Sequence, residues 1–233
     1  MTEHSLPVLY EDDDFIALIK PHNLLVHRTA LSTDSISAVQ IVREMTGRNV
    51  NPVHRIDRAT NGILLFAKTR EATKFASDQF MSHEVDKSYL AIIRGWPKEE
   101  KGLINSPVTT ERGENQSAET LYQVLNKIEL PIPSARFNTS RYSLIQAIPK
   151  TGRMHQIRRH MKRLCGPVIG DTQHGDGKHN RIFREKFNSH VLLLFAETLT
   201  FKNMNNKTIH LKAPLPDSFK NIFTHFNWKY IQK

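Results

Sequence analysis

The chain has 233 residues, enough for a substantial core but not for a large multidomain assembly. Its apolar share of 39 % excludes a disordered polyelectrolyte, and its net charge of +10 points to a polyanionic partner, of which nucleic acid is the commonest. One cysteine, Cys165, excludes an internal disulfide framework and a cysteine-rich zinc site.

Two short apolar runs, Val8 to Tyr10 and Phe15 to Ile19, flank the acidic stretch Glu11-Asp12-Asp13-Asp14 and predict a hairpin. Lys20-Pro21-His22-Asn23 stops its second strand. A helix is predicted through Met45, capped by Asp34 or Ser35, with Ile36, Val39 and Val42 on one face and Gly47 as its end. The run Ile63 to Ala67 reads as a buried strand. A helix follows from Thr69 to about His83, with Ala72, Phe75, Ala76 and Phe80 near one stripe, and then a strand from Lys87 to Trp96. Polar residues 98–116 predict a long loop or irregular hairpin on the substrate surface. Strands are predicted over Ser117–Val124 and Arg141–Ile148, joined by the extended Leu130-Pro131-Ile132-Pro133, and a helical pattern runs from Thr151 to Cys165. Further strands near Val191–Phe201 and Lys207–Leu211, and a short helix after Pro216, complete the chain. Strands outnumber helices without regular alternation. The fold class is therefore α+β, with a central mixed, mostly antiparallel sheet flanked by helices and loops, in one domain over residues 1–233.

Three segments concentrate chemistry. In His54-Arg55-Ile56-Asp57-Arg58-Ala59-Thr60-Asn61-Gly62 a single carboxylate sits between two arginines, just ahead of the buried strand. Such an Asp keeps its charge and can serve as nucleophile or base without a metal. An isolated Asp-Arg pair reads as a surface turn; the crowding of Arg55, Arg58, Thr60 and Gly62 into one tight segment argues for more. The second segment runs from Lys150 to Arg163. As a helix it places Met154, Ile157, Met161 and Leu164 toward the core and His155, Arg159 and Lys162 on an exposed cationic face. Arg158 borders the apolar stripe, needs an anion, and is a candidate partner for Asp57. The third is Lys87-Ser88-Tyr89-Leu90-Ala91, where Lys87 and Tyr89 share a strand face; by default such a Tyr is packing.

Together these segments, HRIDRATNG, KSYLA and TGRMHQIRR, resemble in order the HRLDxxTSG, KxYxA and TGRxHQ(I/L)R motifs of the RluA-type pseudouridine synthase family. Lys20-Pro21 through Val26-His27 and Gly166-Pro167-Val168-Ile169-Gly170-Asp171 are similar to two further family patterns. Ile19, Asn61 and Phe195 stand where that pattern has Asn, Ser and His. The resemblance implies an isomerase acting on RNA, with Asp57 as catalytic aspartate, Tyr89 against the target base, Arg158 paired with Asp57, and Arg55 entering the space left by the extruded uridine. Arg55, Arg58, Lys87, Arg153, His155, Arg159 and Lys162 form the expected RNA-contacting set. It implies no cofactor and no metal. Asp57 attack on the base, attack on the sugar and removal of a sugar proton all stay open. The spacing Val26-His27-Arg28…Leu31, the doublet Arg158-Arg159 and the stretch Gly170 to Asp176 running on to Asn180-Arg181 are similar to family members acting on uridine-65 of tRNA. With the first strand beginning by about Val8, no room remains for an N-terminal S4 module.

Rival readings are weaker. HRID misses the kinase catalytic-loop spacing by one and no Gly-rich phosphate loop accompanies it. A deaminase zinc site needs cysteines the chain lacks. His174, Asp176 and His179 lack metal-ligand spacing. The same chemistry on ribosomal RNA, and a non-catalytic RNA-binding protein, remain as alternatives. Without an apolar leader or a run near the ~20 residues of a membrane helix, the chain reads as cytoplasmic, with no membrane and no protein partner.

Overall fold

The computed structural model describes residues 5–28, 36–134 and 137–230. In chain order the elements are β1 (Val8–Glu11), β2 (Phe15–Lys20), α1 (Ala38–Thr46), β3 (Asn51–Pro52), β4 (Asn61–Ala67), α2 (Arg70–Met81) and β5 (Asp86–Arg94). There follow β6 (Lys101–Asn105), β7 (Val108–Thr109), β8 (Asn115–Gln116), β9 (Glu119–Leu130), β10 (Ser140–Pro149), α3 (Gln156–Leu164), α4 (Gly177–Phe187), β11 (Leu194–Lys202), β12 (Thr208–Lys212) and α5 (Asp217–Phe226). The class is α+β, as the sequence predicts. The chain forms two compact units, residues 1–87 with 195–214, and residues 88–194 with 215–233. Among the described residues no helix is long and apolar enough to cross a membrane.

The first unit is built on β1, β2, β4 and β11 in that order, with β3 on β4 and β12 on β11. β2 pairs antiparallel with β4, Lys20 lying opposite Gly62, while β4 and β11 run parallel with Ala196 opposite Gly62, so the sheet is mixed. Side-chain alternation sends Ile16, Leu18, Leu64 and Phe66 to one face, where α1 covers them with Ala38, Val39, Ile41 and Val42. α1 ends where predicted, on Gly47 at φ +63. The predicted caps Asp34 and Ser35 lie outside the described residues; Ser37 holds the N-cap position. α2 is capped by Thr69, whose hydroxyl accepts from the Ala72 amide, and Gln79 exchanges two hydrogen bonds with the Lys202 backbone.

Gly62 is the more crowded of this unit's two glycines. At φ +128 a Cβ would stand 2.2 Å from the Ala196 carbonyl oxygen, so both the backbone region and the space require glycine. Gly62→Ala is expected to displace β11 from β4 and to lower the melting temperature sharply or prevent folding, read by thermal unfolding of the purified variant.

In the second unit β6, β9, β10 and β5 are antiparallel throughout, with Ala147 opposite Tyr89 and Tyr142 opposite Arg94. The polar stretch 98–116, read from sequence as a loop or irregular hairpin, supplies the edge strand β6 and the two-residue hairpin β7–β8. Here main-chain pairing decides, where the side-chain pattern carries no period. Tyr142 anchors an aromatic core with Phe183 and Phe226, their ring centroids 5.0 and 6.0 Å from it. Phe183 belongs to α4, a helix that the sequence pattern does not predict. Asp176 caps it, its carboxylate accepting from the Lys178 and His179 amides, and the buried face carries His179, Asn180, Phe183 and Phe187.

The helical reading of 151–165 needs a shorter helix. α3 starts only at Gln156, because His155 sits at φ +55 and breaks the helical path. Met154, expected in the apolar stripe, therefore precedes the helix and is 50 % exposed, whereas Ile157 and Met161 are buried as expected.

Candidate active site and RNA-contacting residues

In the first unit Asp57 opens a tight turn, its carbonyl accepting from the Thr60 amide at 3.0 Å, at the mouth of β4. Buried Ile56 and Thr60 root the turn on either side, leaving Asp57 half-buried and Arg55 and Arg58 exposed. The turn is tied down from beneath by Lys20, a side chain with no solvent exposure. Its ammonium donates to the carbonyls of Pro21, Leu24 and Arg58 at 2.8, 2.9 and 2.9 Å. These three acceptors use every N–H of the charged form and lock the 20–24 loop to the Asp57-Arg58 turn. Burial pulls the Lys20 pKa down to about 7; the negative charge of Asp57 opposes that shift and Arg58 adds to it. The sequence marks Lys20 as a strand stop and as part of a family-like Lys-Pro segment, but not as a buried tie. A buried lysine can be recognised solely by what surrounds it.

Among the described residues two buried polar atoms of this motif, Thr60 Oγ1 and Asn61 Oδ1, make no hydrogen bond. His54 is committed to structure. Its Nε2 accepts the Leu65 amide at 3.1 Å, so that nitrogen carries no proton, and its ring stacks on Phe80 at 5.0 Å. Lys87 approaches the same phenyl ring, its Nζ 5.5 Å from the centroid. Burial, reinforced by the Lys87 charge, lowers the His54 pKa from 6.5 to about 3. Between these values the unfolded chain binds a proton that the native chain refuses, so this histidine's contribution weakens as pH falls from 6.5 toward 3. His54→Gln, which keeps an acceptor for Leu65, is expected to flatten the loss of stability on acidification. Urea melts of both proteins at pH 7 and pH 5 measure it.

In the second unit the Thr151–Gln156 stretch is clamped by Gln156. Its Oε1 accepts from the Thr151 hydroxyl at 2.7 Å and the Arg153 amide at 3.0 Å, and its Nε2 donates to the Glu119 carbonyl and Thr120 Oγ1, both at 2.9 Å. This explains the Thr-Gly-Arg start: a folded corner, followed by a helix. The first turn of α3 then presents Arg158, only 5 % exposed. Its Nε and Nη2 grip both oxygens of Asp171 at 2.7 and 2.8 Å, and Nη2 also donates to Gln173 Oε1 at 3.2 Å. The anion that a buried Arg158 requires thus includes Asp171, thirteen residues on, a partner that no local pattern announces. Burial works against the Asp171 charge, but the Arg158 bonds and the His174 and Gln173 amides outweigh it and hold its carboxyl below the usual range. Asn180 fastens this loop from α4, accepting from the Gly170 amide and donating to the Asp171 carbonyl, both at 2.8 Å.

The expected cationic face is only partly a helix face. His155 lies before α3 and shares a hydrogen bond with His174 at 3.0 Å. Arg159 is half-buried and donates to the Thr109 carbonyl at 2.6 Å, while Lys162 is exposed and Arg153, also exposed, donates to the Ser117 carbonyl at 3.1 Å. His160, fully buried, bridges the Ser106 carbonyl and Thr120 Oγ1 at 2.9 Å each, which makes its Nε2 the protonated nitrogen. Tyr89 is half-buried on β5. The structure thus gathers Arg55, Asp57 and Arg58 on one turn of the first unit, with Lys87 by Phe80. It groups Arg153, His155, Arg158, Arg159 and Lys162 along α3 and its entry in the second.

The chain belongs to the RNA pseudouridylate synthase family, whose model matches residues 14–163 and so spans both the Asp57 turn and most of α3. The family consists of isomerases that convert uridine to pseudouridine in RNA. Among individual relatives, the chain is 41 % identical to tRNA pseudouridine synthase C of Vibrio parahaemolyticus, over 98 % of each chain. It is 35 % identical to the protein of that name from Haemophilus influenzae, over 97 % of this chain and all of the other. The fold is similar to that of human RNA pseudouridylate synthase domain containing 4, with a TM-score of 0.74 at 20 % identity, covering 95 % of this chain and 93 % of that one.

Proposed function

We propose that this chain, acting as one catalytic domain in the cytoplasm, isomerises a uridine of tRNA, the one at position 65, to pseudouridine. The observation that carries the tRNA assignment is the end-to-end similarity to the tRNA synthases C, reaching 41 % identity over 98 % of the chain. The net charge of +10 fits the same substrate.

The reaction cuts the bond between C1′ and N1, turns the uracil and rejoins it through C5; N1 gains a proton and C5 gives one up. No electrons enter or leave. The protein must extrude the uridine, at a cost of a few kcal/mol, and supply one carboxylate to a base held away from water. Asp57 supplies the carboxylate. Lys20 fixes its turn, so the reacting group does not wander between turnovers. Exposed Arg55 fills the stack the uridine leaves. Tyr89 lies against the base, and Arg158, immobilised by Asp171, is the third member of the catalytic set. Arg58, Lys87, Arg153, His155, Arg159 and Lys162 meet phosphates.

The test incubates purified protein with tRNA transcripts and ribosomal RNA fragments side by side and locates pseudouridine chemically. Modification of tRNA at position 65 supports the proposal. Modification confined to ribosomal RNA supports the same chemistry on the other substrate, and binding of RNA without modification would leave a non-catalytic binder. Affinity for tRNA is expected to fall steeply from 50 to 200 mM salt, since each phosphate contact releases counterions; filter binding across that range measures the slope.

A further inference from the structure

The second unit has a cleft of about 240 Å³ that none of the residues assigned above uses. It is lined by Arg94, Ser134, Phe137, Thr139, Arg141 and His179, among others. Arg94 and Tyr89 lie five residues apart on β5, so the cleft is about 16 Å along the strand from the tyrosine, at ~3.3 Å per residue. It is nevertheless joined to the Arg158 anchor by a short loop. Asp171 holds Arg158, and Asp176, five residues on, holds Arg94 at 2.7 Å.

The lining defines what fits. The floor is His179, buried, with both ring nitrogens occupied by Ser134 Oγ at 2.8 Å and Tyr142 OH at 2.9 Å. Each arginine is already matched by an acid: Arg94 by Asp176, and Arg141 by Glu129 at 3.2 Å. The cleft therefore offers little net charge to a phosphate or carboxylate. What it does offer is flat surface. The Arg141 guanidinium lies over the Trp96 ring, 4.4 Å from its centroid, and Phe137 stands 69 % exposed, its backbone held by two hydrogen bonds with Ser134. The Ser134 and Thr139 hydroxyls are engaged with His179 and with Glu129 Oε1, the latter at 2.6 Å, so what remains to a ligand there is chiefly stacking surface. The volume lies below the ~300 Å³ at which ordinary small-molecule pockets begin, and suits a single ring system.

We propose that this cleft takes one unpaired nucleobase of the RNA substrate, stacked on Phe137, as a docking contact apart from the reacting uridine. The inference rests on the RNA-modifying reading above. Stacking a splayed base on an aromatic side chain is a general means of holding RNA, and the strong positive charge of the chain delivers the polymer. The occupant is thus a neutral, planar group on a polyanion, which a base satisfies and a free anion does not.

The experiment compares Phe137→Ala, Phe137→Leu, Phe137→Trp and Arg141→Ala in the full chain, using a tRNA transcript as probe. Fluorescence anisotropy gives Kd, and single-turnover modification at saturating RNA gives the chemical rate. Phe137→Ala and Phe137→Leu are expected to weaken binding about fivefold or more, with the rate at saturation unchanged. Phe137→Trp is expected to bind as well as the parent or better, and Arg141→Ala to weaken binding. Wild-type affinity in both the Ala and Leu variants would overturn the proposal. So would wild-type affinity in Leu alone, because an apolar contact with a protein partner tolerates Leu and a stacked base does not. Phe137 is exposed, so unchanged melting temperatures check that the variants fold. The parent's own activity on tRNA separates failure of this inference from failure of the functional reading.

Discussion

Asp57→Asn is expected to reduce pseudouridine formation at least about 10³-fold while leaving tRNA binding intact, since a lost covalent or proton-transfer group is not replaced by an isosteric amide. Asparagine keeps the shape of the side chain and leaves the turn's backbone bond from Thr60 to the Asp57 carbonyl in place. The Lys20 bonds that lock the turn go to carbonyls of Pro21, Leu24 and Arg58, none of which the substitution touches. The loss should therefore appear in the chemical step and not in the melting temperature. Single-turnover rates with saturating tRNA, beside anisotropy binding curves, separate the two. Turnover within tenfold of the parent would remove Asp57 from the mechanism. A collapse in folding would instead mean that its charge holds Lys20 in place.

The second large effect is expected at the Arg158–Asp171 pair. Both partners are buried, and the two short bonds are parallel and charge-assisted. Removing one partner leaves the other charge stranded away from water, so Asp171→Ala should cost about 3–5 kcal/mol of stability. The same change frees the Gln173 and His174 amides, which now end on Asp171 Oδ1 at 2.9 Å, and loosens the loop that Asn180 fastens. A stability loss below about 1 kcal/mol in urea melts would contradict the burial argument. Asp171→Asn should lie between, because its carbonyl still accepts while its amide opposes the guanidinium. Replacing the whole pair with Asp171→Leu and Arg158→Met should recover part of the stability but not the activity, since apolar groups of similar volume relieve the stranded charge without restoring a guanidinium. Stability and turnover measured on the same set distinguish a structural arginine from one needed for catalysis.

Local pattern made much of the fold legible. The first hairpin, β4, α2, β5 and the last strands were readable because their apolar residues recur at strand or helix spacing, and the stops at Lys20-Pro21 and Gly47 are backbone signals. α4 was hidden. Gly177, His179 and Asn180 in its first turn are weak helix formers, two of its buried positions are polar, and the Asp176-Gly177 pair that caps it also reads as a turn. α3 was legible as a helix but not in its start. The left-handed conformation of His155 follows from the Gln156 clamp onto Glu119 and Thr120, contacts thirty-six and thirty-seven residues back along the chain.

The candidate site divides along the same line. The sequence by itself determined which residues are candidates for chemistry: a lone carboxylate between arginines on a turn before a buried strand, a Lys-Ser-Tyr strand, and a Thr-Gly-Arg entry to a basic helix. These are local facts, set by neighbours within a few residues. Only the tertiary structure decided what holds them still. Lys20 reaching the Arg58 carbonyl, Asp171 gripping Arg158, and His54 surrendering its Nε2 to Leu65 join residues 11 to 38 positions apart. A burial that turns a polar side chain into a strut depends on which strands pair and which helices cover them. No spacing along the chain encodes that, because the desolvation that makes each partner obligatory exists only once the core has closed.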